Sequence, residues 1–324
     1  MLAPLLAAAA LTSFGGIAWS SDGSRLAFAA TAAATGHTDV YTVRPDGTDL
    51  RNVTADDLRP MLYSPNLPAH AEPAWSRDGR LAYVVGRGDF VRPAFEYWIA
   101  NGDGSGKRLV TTQPTDQTPS WSPDGTKLTM ESFEAIVAAR VDTGAVNTVA
   151  AGAGSSVWSP RDRRIALLRM GPRDNGDVYT VRGDGTHARR LTTARGSDWP
   201  IAWSPDAKRI AFRSQRGEFA KRGRADDLAL YVMDSDGRHQ RRVAPAQPGS
   251  LGEGSASFGP RGGSLVYAYR GSLYVVGVDG RGTRTIAAGT DPQWSPDGRW
   301  IAFVGARGVE LVRPNGSGEH TIVD

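Results

Sequence analysis

The sequence predicts an all-β protein, a seven-bladed β-propeller of four-stranded antiparallel blades, and three observations carry that prediction. A short phrase recurs along the chain: WSSDG at Trp19, WSRDG at Trp75, WSPDG at Trp121, WSPRD at Trp158, WSPDA at Trp203, FGPRG at Phe258 and WSPDG at Trp294. An apolar triplet follows each copy at six or seven residues, starting at Leu26, Leu81, Leu128, Ile165, Ile210, Leu265 and Ile301. A third phrase is copied almost letter for letter, DVYTVRPDGT at Asp39 returning as DVYTVRGDGT at Asp177. Self-similarity at a period of tens of residues is the mark of a repeat architecture. No stretch shows the 3.6-residue periodicity that a helical solenoid needs.

Each phrase has a physical reading, taken in chain order within one unit. The Trp opens the innermost strand and fills the gap between neighbouring blades, because its large ring has no place on a solvated face. Ser-Pro-Asp-Gly then makes a tight hairpin: Pro presets the first dihedral, Asp bonds its own backbone, and Gly takes the positive φ. The apolar triplet is the second strand, and the Tyr- and Val-rich phrase is the third. Looser third strands read EYWIANGDGS at Glu96, LYVMDSDGR at Leu230, LYVVGVDGR at Leu273 and VELVRPNGS at Val309. Their Asp-Gly step is a second hairpin signal. The fourth strand closes the unit as KRLV at Lys107, RRLT at Arg189, RRVA at Arg241, TRTI at Thr283 and HTIV at His320. Ala207 replaces the turn glycine in the fifth copy, which costs about 1 kcal/mol if that residue is left-handed.

One four-stranded sheet cannot bury both of its faces, and stacking copies around an axis covers them. Seven anchors give blades starting near residues 15, 70, 116, 153, 198, 253 and 289, one propeller domain over 15–324. The sixth copy is degenerate at Phe258 and Gly259, so six blades is the alternative count. The first copy begins with its inner strand and the last ends with an outer one. No strand is then left to latch the ring, unless residues 5–12 supply it. The opening MLAPLLAAAALTSFGG has an apolar part of about ten residues, too short to span a bilayer. Residues 1–14 are therefore read as a secretory-signal-like segment or as that latch.

Composition excludes several classes. Lys+Arg is 38 against Asp+Glu 34, a net charge of only +4, and four Lys are scattered among many Arg. No basic stripe of the kind nucleic acid requires is present. Cysteine is absent, which removes disulfides, thiol catalysis and thiolate metal sites. No other segment looks transmembrane.

The order WSPDG, IAF, LYVMD, DG and RRLT resembles the repeat of TolB-type β-propellers, which also builds the propellers of prolyl-oligopeptidase-like enzymes. The resemblance runs from about residue 15 to the end of the chain. It implies an exported, periplasmic or otherwise extracytoplasmic protein that binds a protein or peptide partner in envelope complexes. TolB itself carries an α/β domain ahead of six blades; this sequence leaves no room for that domain and spells one blade more.

Motifs with catalytic overtones read more simply as frame. No G-x-S-x-G elbow is present, and GSASFG at Gly254 has the wrong spacing for one. NGDGSGKR at Asn101 lacks the first Gly and the Ser or Thr of a P-loop, and has Thr112 where a calcium loop needs Glu. It aligns with the turn between third and fourth strands. Asn52 and Asn315 open glycosylation sequons, and Arg87 opens an Arg-Gly-Asp tripeptide; neither pattern is specific.

Function in such a frame belongs to the face whose loops vary. The long insertions are Ala55–Ala71, Gly86–Phe95 and Gln215–Ala229; around the last, RSQRGEFAKRGRADD from Arg213 carries five Arg or Lys that could meet an anionic partner. His37 and His70 lie on that face, and acids stand just before the anchors: Glu72, Asp116, Asp198, Glu253 and Asp291. Together with Trp199 they form the candidate partner-binding rim of the central channel. The expected cofactor is none; if a cation such as Ca²⁺ were held, Glu72, Asp291 and His70 are the candidate ligands. No catalytic residue is assigned, and a monomer is expected. The alternative is a lyase or glycan hydrolase using metal or carboxylates at the channel mouth, for which the chain offers few histidines.

Overall fold

A computed structural model of the chain describes residues 10–34, 36–55, 73–88, 93–115, 118–132, 135–171, 175–216, 228–244 and 256–324. Among these residues are twenty-eight strands and no helix. They form seven four-stranded antiparallel sheets, each built from four strands consecutive in the chain. The protein is a seven-bladed β-propeller. The innermost strands are β1 (Leu11–Trp19), β5 (Ala74–Trp75), β9 (Ser120–Trp121), β13 (Ala153–Trp158), β17 (Asp198–Trp203), β21 (Ala256–Phe258) and β25 (Thr290–Trp294). Each meets the inner strand of the next blade, and β25 meets β1, which closes the ring.

The repeated phrases become repeated contacts. In blade one Ser20 Oγ donates to Asp22 Oδ1 at 2.6 Å, and the Gly23 N–H donates to the Ser20 carbonyl. The same Ser–Asp bond recurs at Ser122, Ser204 and Ser295. Ala207 does take a positive φ, 59°. NGDGSGKR is a hairpin turn, with Gly104 N–H donating to the Asn101 carbonyl.

Four points differ from the sequence reading. The anchor Trp ends the innermost strand rather than starting it, because the Ser-Pro-Asp-Gly turn leads out of that strand into the second. The ring still uses it as filler, and Trp121 and Trp203 each donate the indole N–H to the preceding blade. Residues 11–14, expected in the leading segment, are the start of β1. Leu11 and Thr12 pair with Ala32 and Thr31 of their own blade, so they latch nothing. Gly86–Phe95, read as a loop, is largely strand: β6 (Arg80–Gly88) and β7 (Pro93–Asn101) stay paired out to Gly88 and Pro93.

The core is correspondingly divided. Seven apolar clusters sit in the seven gaps between blades, each drawing on two neighbouring sheets. The seam between blades seven and one is of the same kind, with Phe28, Tyr41 and Val43 packed against Val309, Leu311 and Val323. Among the described residues no strand crosses it. The first-to-second and third-to-fourth connections lie on one face, and the remaining connections on the other.

Candidate functional site

The loop face begins where the inner strands begin, and there the strands are irregular. Register shifts break the inner pairing of blades one, four, five and seven. Three residues without a glycine's freedom adopt left-handed backbone at these places: Ser13 (φ 49°), Ser155 (φ 45°) and Asp291 (φ 50°). Bulges that re-aim side chains are over-represented beside functional sites. The Ser155 N–H is met by Glu131 Oε2 at 3.3 Å from the neighbouring blade.

Asp291 is the predicted rim acid that the structure places in a distinctive setting. Its bulge turns the carboxylate toward β1, where a side chain at Gly15 would lie 3.7 Å from Oδ2. Burial pushes its carboxyl above the usual carboxylate range, against a hydrogen bond from the Gly16 N–H. Among the described residues no cation pairs with it to lower it again.

Asp198 has a different fate. It is fully buried at the start of β17, and Oδ2 accepts from Arg216 Nη2 at 2.7 Å. Arg216 lies 5.0 Å from the ring centres of Phe212 and Tyr231, and donates to Ser214 Oγ and Gln240 Oε1. Asp198 Oδ1 has no hydrogen-bond partner. Asp198 thus lies inside the blade, holding the root of the fifth insertion, rather than on the rim. In the sequence Arg216 counts only as one cation of a basic loop; the structure folds it inward. A second buried acid, Asp177, takes Arg190 at 2.5 Å, while its counterpart in the first copy, Asp39, takes Asn52 and Thr54. Burial pushes the Asp177 carboxyl up against the pull of Arg190, and the charge of Asp198 pushes the same way. Asp177 was hidden in the sequence by the repetition that makes DVYTVR look like pure frame. Asn52, the first sequon residue, donates its side-chain N–H to Asp39 and Tyr41.

Trp199, next to Asp198, is half-buried and pairs across the strands with Arg213. His37 is exposed on the loop face, its carbonyl accepting from the Ala32 N–H at 2.8 Å. His70, Glu72, Asp116 and Glu253 lie outside the described residues. Among the described residues no three His, Asp or Glu side chains converge as metal ligands.

With this geometry the chain can be set beside known proteins. A family model described as the TolB β-propeller domain matches residues 76–271, more than half of the chain. The chain belongs to the TolB β-propeller domain family. Among relatives, a TolB homologue of Chlorobium luteolum is 30% identical over 139 residues, 37% of this chain and 28% of the relative. The Tol-Pal system protein TolB of Bordetella pertussis is 29% identical over 145 residues, 42% of this chain and 32% of the relative. The match thus spans about a third or less of these two TolB proteins. The solved structure of an oligogalacturonate lyase in complex with manganese aligns over 91% of this chain and 87% of its own, with a TM-score of 0.66 and 18% identity. At that identity the likeness is one of fold. Among the described residues of this TolB-type propeller, no helix is long and apolar enough to cross a membrane.

Proposed function

We propose that this TolB-type propeller is a non-enzymatic scaffold that binds a protein or peptide partner across its loop face, in an exported, envelope-associated setting. The observation that carries the reading is the contrast between the two faces. One face is a set of copied tight turns; the other bears the long insertions, the strained inner-strand starts and Asp291, held by a rigid ring. TolB relatives, one of them named as a Tol-Pal system protein, supply the envelope setting. The rim comprises His37, Trp199 and Asp291, and the sequence adds His70, Glu72, Asp116 and Glu253 to the same face. A half-buried Trp on this rim suits a peptide that brings an apolar side chain, and the acids the sequence adds to the face suit a basic group on it.

Site-specific photo-crosslinking tests this. A crosslinker at position 37 or 199 should capture a protein partner in the envelope fraction of the producing cell, and one at Lys127, on the opposite face, should not. Capture from position 127 alone would reverse the assignment of faces. The manganese-bound lyase that shares the fold keeps an enzymatic reading in play. Equilibrium dialysis with Mn²⁺ or Ca²⁺ decides it: stoichiometric binding abolished by Asp291→Asn favours the enzyme, and no binding favours the scaffold.

A further inference from the structure

The copied-turn face has two departures from the repeat that fall side by side in blade seven. The residue before the second apolar triplet is Arg25, Arg80, Lys127, Arg164, Arg209 or Ser264 in blades one to six, and Trp300 in blade seven. Three of these four arginines donate to the next blade, Arg80 to the Gly125 carbonyl, Arg164 to that of Ser235 and Arg209 to that of Gly262, while Arg25 stays on Asp49 of its own blade. Trp300 makes no such bond. Its ring is half-buried over the seam with blade one, with the Arg313 guanidinium 5.3 Å from its centre and His320 edge-on at 5.1 Å. Gly318 leaves the ring's rim uncovered, since a side chain there would lie 3.6 Å from it.

A second departure stands beside the first. The turn between third and fourth strands carries Asp46, Asp103, Asp142, Asp184, Asp236 and Asp279 in blades one to six, and Asn315 in blade seven. Asn315 keeps the turn, because its Oδ1 accepts from the N–H and hydroxyl of Ser317, as Asp46 does from Thr48. What it removes is the charge. In other blades an arginine from the preceding fourth strand lies against this turn, Arg108 donating to the backbone carbonyl of Asp142 and Arg189 to that of Asp236, residues that also carry a carboxylate. Arg284 does the same in blade seven, donating to the Pro314 carbonyl at 2.9 Å, but finds no carboxylate in the turn. Among the described residues none comes within ion-pair distance of Arg284 or Arg313. Arg299 is exposed and only 3.6 Å from Asp297.

The result is an open groove of about 670 Å³ lined by Arg284, Arg299, Trp300, Arg313, Pro314 and Asn315. We propose that this groove docks a short acidic peptide segment, its carboxylates on Arg284 and Arg313 and an apolar side chain against Trp300 and Pro314. Guanidinium forks match carboxylates, and an aromatic floor gives an apolar anchor beside them. The cationic patch is local. Elsewhere several surface arginines pair with nearby acids, as in Arg140–Asp142 and Arg164–Asp162, and the net charge of the chain is only +4. That pattern lacks the extended field a nucleic acid or a long polyanion follows, and it suits a ligand of two or three charges. The groove lies on the face opposite the proposed partner rim, so its fate and that of the scaffold reading are separate.

The test restores the repeat. Asn315→Asp returns the acid that six copies carry, without loss of the turn bonds. Trp300→Arg returns the majority residue. The probe is a short N-acetylated, C-amidated peptide alternating Asp and Phe, titrated into the full chain and followed by calorimetry and by the indole resonances. Binding at ~1 mM or tighter is expected, weakened about fivefold or more by Asn315→Asp, and weakened again when salt rises from about 0.05 to about 0.5 M. Trp300→Arg should abolish the dependence on Phe, with thermal melts showing that both variants stay folded. No binding by the wild type, binding indifferent to Asn315→Asp, or equal binding of a polyuronate or of inorganic phosphate would each overturn the proposal.

Discussion

Single residues of this propeller carry charge and backbone strain that can be read in both directions. Ala207 holds a φ of 59° in a turn where most other copies have glycine. Ala207→Gly should therefore raise stability by about 1 kcal/mol, less any loss of the packing this buried methyl makes; a denaturation midpoint that falls instead means the packing wins. Asp291 is an acid whose folded pKa lies above its ordinary 3.8 because of burial. Such a group favours the folded state below the unfolded pKa, and the benefit is lost as pH rises through the folded value. Asp291→Asn keeps the acceptor for Gly16 and tolerates the left-handed backbone. It should raise the melting temperature at neutral pH, with the gain shrinking to nothing below about pH 4. A gain that persists in acid would trace to something other than ionisation. Asp142 behaves oppositely. The Arg140 side-chain hydrogen bond holds it down from 3.8 to about 2. Its contribution is present above the unfolded pKa and lost as pH falls through the folded one, so acid melts should decline between those two values.

At the level of strands and blades, the anchor tryptophans do not all make the same contact. Trp19, Trp121 and Trp203 donate their indole N–H to the carbonyls of Gln293, Ala74 and Val157, each just before the anchor Trp of the preceding blade. Trp75, Trp158 and Trp294 bury theirs without a partner. The two sets alternate around the ring until the degenerate sixth blade interrupts them. Losing a made hydrogen bond strands a buried carbonyl, whereas removing an orphan donor costs nothing on that account. Trp121→Phe should therefore be about 1 kcal/mol more destabilising than Trp158→Phe, both rings being equally buried at 9% exposure. Equal costs in urea unfolding would show that ring volume alone matters. This difference was invisible in the sequence, where both read as Trp-Ser-Pro. What was legible there was everything set by local chemistry: the turns, the strand order, the blade count and the side of the ring on which the loops lie. What was not legible depends on a partner from another blade. Asp198 read as a rim acid because nothing in the sequence shows Arg216 folding back across Phe212 and Tyr231. Trp300 read as one more letter of WSPDGRWIAF until its neighbours Arg313 and Asn315 were placed beside it.

The whole ring is held by side chains. Every blade is made of consecutive strands, and the seam between blades seven and one is closed by apolar packing, by Trp19 Nε1 on the Gln293 carbonyl, and by Asp291 against Gly15 and Gly16. An interlocked ring would place a strand from one end of the chain in the sheet of the other and tie global stability to that exchange. Here the seam has the same construction as the six internal gaps, so the position of the break should carry little energy. Stability is then close to a sum of blade and neighbour terms, as in other repeat proteins. A circular permutant opened within 245–255, between blades five and six, with the old ends joined by a Gly/Ser linker, tests the point. It should fold with a melting temperature within about 5 °C of the wild type, because one side-chain seam has been exchanged for another. A permutant that fails to fold, or melts far lower, would mean that the seven-to-one seam has a role in closure that its packing does not reveal.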